Sequence, residues 1–291
     1  MIAVDWGTSN FRAFRLSAEG AVLARRSSPQ GILRVGKGNF EEALRAEVGA
    51  WLANGENHIL LCGMVGSRQG WVEAQYLGCP AGLLELANAV IKVPFNGAQV
   101  RLVPGVKGSD AAGLPEVMRG EETAAMGMLD AGAGLVCFPG THSKWVELSD
   151  RKIAGFTTSM TGEVYRALCK CTILERTMTS DGAVDEAAFH VGVARSADSG
   201  GLLHHLFGVR TLVLMDQLRE ESSASYLSGL VIGHEVRATM PSAARVHLVG
   251  AAHLCSLYAQ AIEACGGEAS VQDEDAAALG LAAIGRRLHW S

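Results

Sequence analysis

The sequence lacks the features that mark secreted, membrane-spanning and nucleic-acid-binding proteins. Its seven cysteines include no CxxC pair and no zinc-like spacing, and most stand in apolar runs, which predicts free thiols in a reducing compartment. Residues 1–5 read as a strand without the basic segment of a signal peptide, and no apolar run reaches the ~20 residues of a membrane span. The formal net charge of −5 gives no reason to expect nucleic acid or a membrane as a partner. We therefore expect a soluble, cytoplasmic protein.

The order of predicted elements indicates two related halves. The 291 residues are enough for two domains of roughly 100–150 residues each. Residues 1–28 read as three short strands with a glycine-rich first turn, and residues 135–157 repeat that order. No linker rich in proline, serine or charge lies between them. We predict an α/β fold with domains at 1–132 and 133–291.

The first turn has the composition of a phosphate-binding loop. The run DWGTSNFR at 5–12 places a carboxylate at the end of a buried strand, followed by glycine and hydroxyl residues. Small residues let backbone N–H groups approach phosphate oxygens, and hydroxyls add donors. A carboxylate cannot hold the phosphate itself, so Asp5 is predicted to hold Mg²⁺ through water. The predicted nucleotide-binding residues here are Gly7, Thr8, Ser9, Asn10 and Arg12.

Two further segments have compositions that suit a nucleotide. The run PGTHSK at 139–144 repeats the small and hydroxyl residues of the first turn, and two such hairpins can grip one polyphosphate from opposite sides. The run VHLVGAA at 246–252 is a buried strand that meets small residues at a helix start, which suits packing against an adenine ring. Alternation places Lys144 on the face opposite Ser143. The predicted ligands are Gly140, Thr141, His142, Ser143, Lys144, Gly250 and Ala251.

In this order and spacing, the three segments resemble the first phosphate, second phosphate and adenosine motifs of the actin, sugar kinase and heat-shock ATPase superfamily. Over essentially the whole chain the sequence is similar to the 2-dehydro-3-deoxygalactonokinase family, through PGTHSKW at 139–145 and through GMVGSRQGWVEA at 63–74, VMRGEET at 117–123, MTGE at 160–163 and YLSGLVIGHE at 226–235. The resemblance implies two actin-like ATPase (ribonuclease H-like) domains flanking an ATP-binding cleft. It also implies that the last helix, about 273–288, crosses back toward the first domain.

The family resemblance implies a reaction and its ligands. ATP with Mg²⁺ would phosphorylate the terminal (6-) hydroxyl of 2-dehydro-3-deoxy-D-galactonate, a small sugar acid, in galactonate catabolism. One position departs from the wider superfamily, because Phe138 or Pro139 stands where the second phosphate strand often ends in aspartate. We therefore expect metal binding to depend on Asp5, and ATP hydrolysis by water to be slow.

The candidate base and substrate residues follow from that reaction. Glu121 and Glu122 match a paired-glutamate block of exopolyphosphatase relatives in the superfamily, one of which is a proposed base, and Asp110 is the alternative. An arginine should meet the substrate carboxylate. Arg68 is the first candidate, because it lies in a glycine-flanked loop whose other side chains can bind a hydroxyl and a carbon face. The predicted substrate residues are Ser67, Arg68, Trp71 and Arg119.

Other functions remain open from the sequence. The alternatives are a kinase of another sugar acid, an exopolyphosphatase-like phosphohydrolase and a non-enzymatic nucleotide-sensing module. The missing aspartate near Phe138 argues against the phosphohydrolase, and the intact acidic residues Asp5, Glu121 and Glu122 argue against the sensing module. The preferred epimer of the sugar acid and the oligomeric state, with a homodimer as one option, are also left open.

Overall fold

The computed structural model describes residues 1–132, 134–178, 184–272 and 275–290. Contacts divide the described residues into two compact units. The first contains residues 1–132, the segment Val146–Phe156 and residues 275–290. The second contains Gly134–Trp145 and the described residues from Thr157 to 272.

The elements are numbered in chain order. The strands are β1 (Ile2–Trp6), β2 (Phe11–Leu16), β3 (Val22–Ser28), β4 (His58–Cys62), β5 (Leu77–Gly78), β6 (Ala81–Gly82), β7 (Ile91–Val93), β8 (Gln99–Leu102), β9 (Val106–Ser109), β10 (Pro115–Met118), β11 (Leu135–Phe138), β12 (Ser143–Ser149), β13 (Lys152–Ser159), β14 (Arg245–Leu248) and β15 (Glu268–Val271). The helices are α1 (Phe40–Ala53), α2 (Leu83–Asn88), α3 (Glu121–Gly127), α4 (Thr161–Cys171), α5 (Glu186–Arg195), α6 (Gly201–Leu214), α7 (Glu220–Thr239), α8 (Ala252–Ala264) and α9 (Ala276–Gly285).

The sheet of the first unit brings the predicted metal-binding carboxylate to the end of a buried strand. Its order is β3-β2-β1-β4-β8-β7, in which β1 pairs antiparallel with β2 and parallel with β4. The side chains of Ile2, Val4 and Trp6 are fully buried in the core of this unit, because β1 is covered on both faces. Asp5 therefore stands at the carboxyl end of β1, opposite Arg12 on β2 and Cys62 on β4.

The second unit repeats the strand order of the first. Its sheet runs β15-β14-β11-β12-β13, with β11 parallel to β14 and β14 parallel to β15. The hairpin of β12 and β13 is divided, since residues 146–156 belong to the first unit, where β13 pairs with β6. A second hydrophobic core, centred on α5, α7 and α8, lies behind this sheet.

The division into units departs from the predicted boundary at the β12–β13 hairpin. The tip of this hairpin belongs to the first unit, where β13 pairs with β6, a long-range contact that strand periodicity does not reveal. Helix α9 lies in the first unit, toward which the last helix was expected to cross, and packs closely on α3, where Gly280 lies against the carbonyl of Thr123. Residue 133, at the predicted boundary, and residues 273–274, at the start of the predicted last helix, lie outside the described residues. None of the helices in the described part of the chain combines the length and apolar character that a bilayer span requires.

Candidate nucleotide and substrate sites

The end of β1 surrounds Asp5 with glycine and a cation. One carboxylate oxygen of Asp5 accepts a hydrogen bond from the Arg12 guanidinium at 2.5 Å, and the other lies 4.0 Å from the Cys62 thiol. Gly63 and Gly120 approach the same carboxylate with φ angles of +92° and +112°. A side chain at Gly63 would also meet the carbonyl oxygen of Trp6, so glycine is required for this close approach.

The backbone N–H groups of the first turn face outward because the carbonyl groups of this turn accept hydrogen bonds from a segment that lies behind it. The carbonyls of residues 7–9 accept hydrogen bonds from the N–H groups of residues 31–33, at 3.0–3.3 Å. Gly31 packs so tightly that a Cβ atom would overlap the backbone of Thr8 and Ser9. Among the described residues, nothing accepts from the N–H groups of residues 8–10, and the side chains at these positions are exposed. The turn is therefore arranged to present N–H groups to an anion.

The second turn, residues 139–144, has the same arrangement. Gly162 packs against the carbonyl of Gly140, where a Cβ would overlap, and the N–H of Glu163 donates to the carbonyl of Thr141 at 3.0 Å. In the described chain, no acceptor meets the N–H groups of residues 140–142. His142 pairs with Glu163 through its ring Nε2. Arg166 donates to the Thr141 hydroxyl at 3.1 Å.

Two side chains of this turn do not face outward. Ser143 is fully buried, and its hydroxyl lies 2.7 Å from the Tyr258 hydroxyl, so it is not placed as the phosphate donor that composition predicts. Lys144 is 6% exposed, and its ammonium donates to the Thr158 hydroxyl on β13 at 2.9 Å. The two residues do point to different neighbours, as alternation along β12 requires. Composition could not show that both faces of this strand are covered.

A cavity of about 270 Å³ opens beside the second turn, within the second unit. Its apolar wall includes Val231, Leu254 and Leu257, and its polar atoms include those of Ser228 and His253. The lining is completed by Gly140, Thr161, Gly162, Tyr165, Val184, Glu221, Ala224, Ser225, Ile232 and Tyr258. Gly250 and Ala251, which the sequence predicts to meet adenine, are not part of the lining. Ala251 instead precedes the first residue of α8 as its cap, so α8 brings its first turn to the cavity.

The paired glutamates at the start of α3 have different surroundings. Glu122 is fully buried, and its carboxylate accepts from the N–H of Gly120 at 2.6 Å and from the Thr123 hydroxyl at 2.8 Å. Burial, with a further contribution from the charge of Glu121, raises the pKa of Glu122 from 4.5 to about 8. Glu121 is partly exposed and accepts from the N–H of Arg119 at 3.1 Å.

A raised thiol pKa links Asp5, the predicted metal-binding carboxylate, to α3. Burial raises the pKa of Cys62 well above its usual value, and the negative charges of Asp5 and Glu122 raise it further. Both carboxylates therefore lie near this thiol, so the start of α3 meets the end of β1 in the same unit. Asp110, the alternative base, accepts from the N–H groups of Ala112 and Leu114 in an exposed turn.

The loop at 66–71 places two of its predicted substrate residues differently. The Arg68 side chain is 87% exposed and pairs with Glu73 at 3.5 Å. Trp71 is partly buried and packs against the core of the first unit, with its ring 6.2 Å from Phe40 and 6.4 Å from Phe95. Core packing therefore covers part of the Trp71 ring, and its contact with a sugar stays a prediction.

Arg119 has buried donors without partners. It is 7% exposed, donates one hydrogen bond to the carbonyl of Ala74 at 2.8 Å and lies 4.4 Å from the centre of the Tyr76 ring. Its Nε and Nη1 atoms are buried and have no hydrogen-bond partner in the described part of the chain, and the buried hydroxyl of Ser67 has none there either. Gly66, next to Ser67, packs against the same guanidinium. Buried unpaired donors are costly, which marks this place as one that a ligand can satisfy.

The fold is that of the actin-like ATPases and sugar kinases. A solved structure of an activator of 2-hydroxyisocaproyl-CoA dehydratase from Clostridium difficile, with bound ADPNP, matches 99% of this chain and 94% of its own length. The TM-score is 0.53 and the identity is 13%, which shows the fold alone.

Closer relatives define the family. A family model described as 2-keto-3-deoxy-galactonokinase matches residues 5–284. The 2-dehydro-3-deoxygalactonokinase of Escherichia coli (strain K12) is 33% identical over 91% of this chain and 90% of its own. A crystal structure from Sinorhizobium meliloti, provisionally named as the same enzyme, has a TM-score of 0.89 at 38% identity and covers 98% of each chain. The chain belongs to the 2-keto-3-deoxy-galactonokinase family.

Proposed function

We propose that the protein transfers the terminal phosphoryl group of ATP to the 6-hydroxyl of 2-dehydro-3-deoxy-D-galactonate, in galactonate catabolism. The observation that carries the proposal is the pair of matching turns. In each turn the carbonyl groups are covered from behind by hydrogen bonds or by a closely packed glycine, and among the described residues nothing accepts from the N–H groups of residues 8–10 and 140–142. Family membership supports the sugar acid as the acceptor. A cytoplasmic location is part of the proposal, because both substrates of such a reaction occur there.

The cavity of the second unit suits the nucleoside part of ATP. Gly140 belongs both to the second turn and to the lining, so a ligand in the cavity can continue into the turn. The side chains of Leu254 and Leu257 offer an apolar surface to a base, and Ser228 and His253 offer hydrogen-bonding atoms. The free N–H groups of residues 140–142 would then bind phosphate oxygens.

Asp5 fits the role of a magnesium ligand in the first unit. Across the described residues, no three His, Cys, Asp or Glu side chains cluster as a metal site. A single carboxylate with water and phosphate oxygens is a set that suits Mg²⁺, which retains several waters. The ion would neutralise charge on the triphosphate during transfer. Arg12 donates a hydrogen bond to the Asp5 carboxylate and helps to orient it.

The sugar-acid carboxylate is assigned to Arg119 rather than to Arg68. Among the described residues the Nε and Nη1 donors of Arg119 have no partner, so a carboxylate can accept from this guanidinium, and the unpaired Ser67 hydroxyl adds a further donor. Because these atoms are shielded, the loop that carries Ser67 has to shift to admit the substrate. Arg68 already pairs with Glu73 and is largely in solvent, where an ion pair contributes little.

Glu121 is the proposed general base. It is partly exposed, whereas both oxygens of Glu122 are occupied by neighbouring donors in a buried place. Glu122 is better placed to fix the start of α3, where Gly120 approaches Asp5. A base is of secondary importance here, since phosphoryl transfer depends mainly on positioning and charge neutralisation.

A coupled assay of ADP release tests the proposal. The acceptors are the 2-keto-3-deoxy acids derived from galactonate and gluconate, with galactose and glycerol as neutral controls. We expect fast turnover with the galactonate-derived acid, little with neutral acceptors and very slow ATP hydrolysis alone. Equal ADP release with and without acceptor would favour a phosphohydrolase. Binding of an ATP analogue without any turnover would favour a nucleotide-sensing module.

A further inference from the structure

A buried carboxylate on α7 collects hydrogen bonds from several elements of the second unit. Glu235 is 5% exposed. One of its oxygens accepts from the Trp145 indole N–H at 2.7 Å, and the other accepts from the Tyr258 hydroxyl at 2.6 Å. The Tyr258 oxygen lies 2.7 Å from the hydroxyl of Ser143. Either of these two hydroxyls can be the donor to the other.

The carboxylate is unusual because its surroundings are neutral. Among the described residues, no Lys, Arg or His forms an ion pair with Glu235. Burial raises its pKa, while hydrogen bonds from the side chains of Thr161, Tyr258, Trp145 and Ser143 act in the opposite direction. Burying an unpaired carboxylate is costly, so this residue has no evident value as a packing group alone.

The donors come from the elements that form the proposed nucleotide site. Ser143 and Trp145 lie on β12, directly after the second turn. Thr161 is the first residue of α4 and lines the cavity, next to the glycine that packs against the turn. Tyr258, on α8, lines the cavity from another side. One carboxylate therefore connects the turn, the helix start behind it and a wall of the cavity.

We propose that Glu235 is a positioning residue that fixes the second phosphate turn relative to the nucleotide cavity, acting through Tyr258, Ser143 and Thr161. The inference rests on the proposed ATP site. It assigns no contact between Glu235 and the nucleotide. Small displacements of groups that position a substrate cost up to about 10²-fold in rate, so a loosened turn should be visible both in nucleotide binding and in turnover.

The test uses Glu235→Gln and Tyr258→Phe, each purified as the full chain. Tyr226→Phe is the matched control, because Tyr226 is equally buried in the same core and its hydroxyl has no hydrogen-bond partner among the described residues. Binding of ADPNP is measured by calorimetry, and kcat and both KM values by the coupled assay. We expect Glu235→Gln and Tyr258→Phe to weaken ADPNP binding by about tenfold or more and to lower kcat. The sugar-acid KM should stay within about twofold, and Tyr226→Phe should match the wild type.

The double variant and thermal unfolding separate positioning from stability. If the two residues act through one chain of hydrogen bonds, Glu235→Gln with Tyr258→Phe should lose little more than the larger single change. Variants that melt earlier but bind ADPNP and turn over like the wild type would show a purely structural role and overturn the inference. Should Glu235→Gln not fold, the same comparison rests on Tyr258→Phe. A wild-type protein that does not bind ADPNP would instead overturn the proposed function.

Discussion

Replacing Arg119 tests substrate recognition most directly. In Arg119→Lys the positive charge stays, but an ammonium cannot reproduce the planar, fixed donors of the guanidinium, of which Nε and Nη1 have no partner among the described residues. A hydrogen bond to a charged group contributes about 1.5–3 kcal/mol, and about 1.4 kcal/mol corresponds to tenfold. The loss of such a hydrogen bond should therefore raise the sugar-acid KM by roughly ten- to over a hundred-fold.

The controls for this prediction are Arg68 and Ser67, which lie on the loop at 66–71 next to the Arg119 side chain. Arg68→Lys makes the same chemical change at an exposed side chain and should leave both KM values nearly unchanged. Arg119 also bonds to Ala74 and contacts Tyr76, so its replacement carries a structural cost. Ser67→Ala has no such cost, because the Ser67 hydroxyl has no partner to lose. It should raise the sugar-acid KM alone.

The assay is steady-state kinetics with each substrate varied in turn, beside thermal unfolding of every variant. A steep rise in the sugar-acid KM for Arg68→Lys, with Arg119→Lys and Ser67→Ala unchanged, would refute the assignment to Arg119. If none of the three changes affects the sugar-acid KM, recognition of the substrate carboxylate by Arg119 and by the loop at 66–71 is refuted. The identity of the acceptor is then supported by family membership alone.

Four further changes test the remaining roles. Asp5→Asn should fold normally and lose most turnover, and near-normal kcat at saturating Mg²⁺ would exclude Asp5 as the metal ligand. Gly31→Ala should weaken ADPNP binding by about tenfold, because the added Cβ would overlap the first turn. Gly49→Ala, which adds a Cβ in open space, should leave the affinity unchanged; equal affinities of the two variants would refute the close-packing argument. Glu121→Gln should lower kcat with little change in either KM, and a rise in the sugar-acid KM alone would make it a binding residue. Because the pKa of Glu122 is raised from 4.5 to about 8 in the folded state, the wild type should lose stability as pH rises between these values. The free energy of unfolding of Glu122→Gln, measured by urea titration, should therefore rise relative to the wild type from about pH 4.5 to 8; parallel profiles would contradict this.

The sequence predicted β1–β4 and β11–β14 but not the strands β5–β10 or β15. Residues 58–62 and 135–138 were expected as buried strands, and β4 and β11 have these bounds. Both are short apolar runs that end at glycine or proline, where strand periodicity and turn chemistry agree. The helix expected at residues 119–129 is shorter, because Gly120 with φ +112° precedes its first residue.

The orientation of side chains could be predicted less well than the elements. Ser143, Trp71 and Arg119 have side chains whose neighbours lie far away in the sequence, at Tyr258, Phe40 and Ala74. Alternation indicates which residues share a face but not which face meets a ligand. The unpaired donors of Arg119 could be found only after the whole first unit was assembled.

The close-packed glycines extend the internal duplication beyond the strands and turns. In the first unit Gly31 follows the end of β3 at Ser28 by three residues, and in the second Gly162 follows the end of β13 at Ser159 by three. Each glycine lies close to the turn between the first two of the three strands that precede it, and packs against carbonyl groups of that turn. A phosphate-binding turn needs this arrangement because a carbonyl oxygen that pointed outward would repel the anion. If the turns bind phosphate as proposed, a glycine at the same offset behind each turn is part of the site, since a larger residue would push the carbonyls, and with them the N–H groups, out of position.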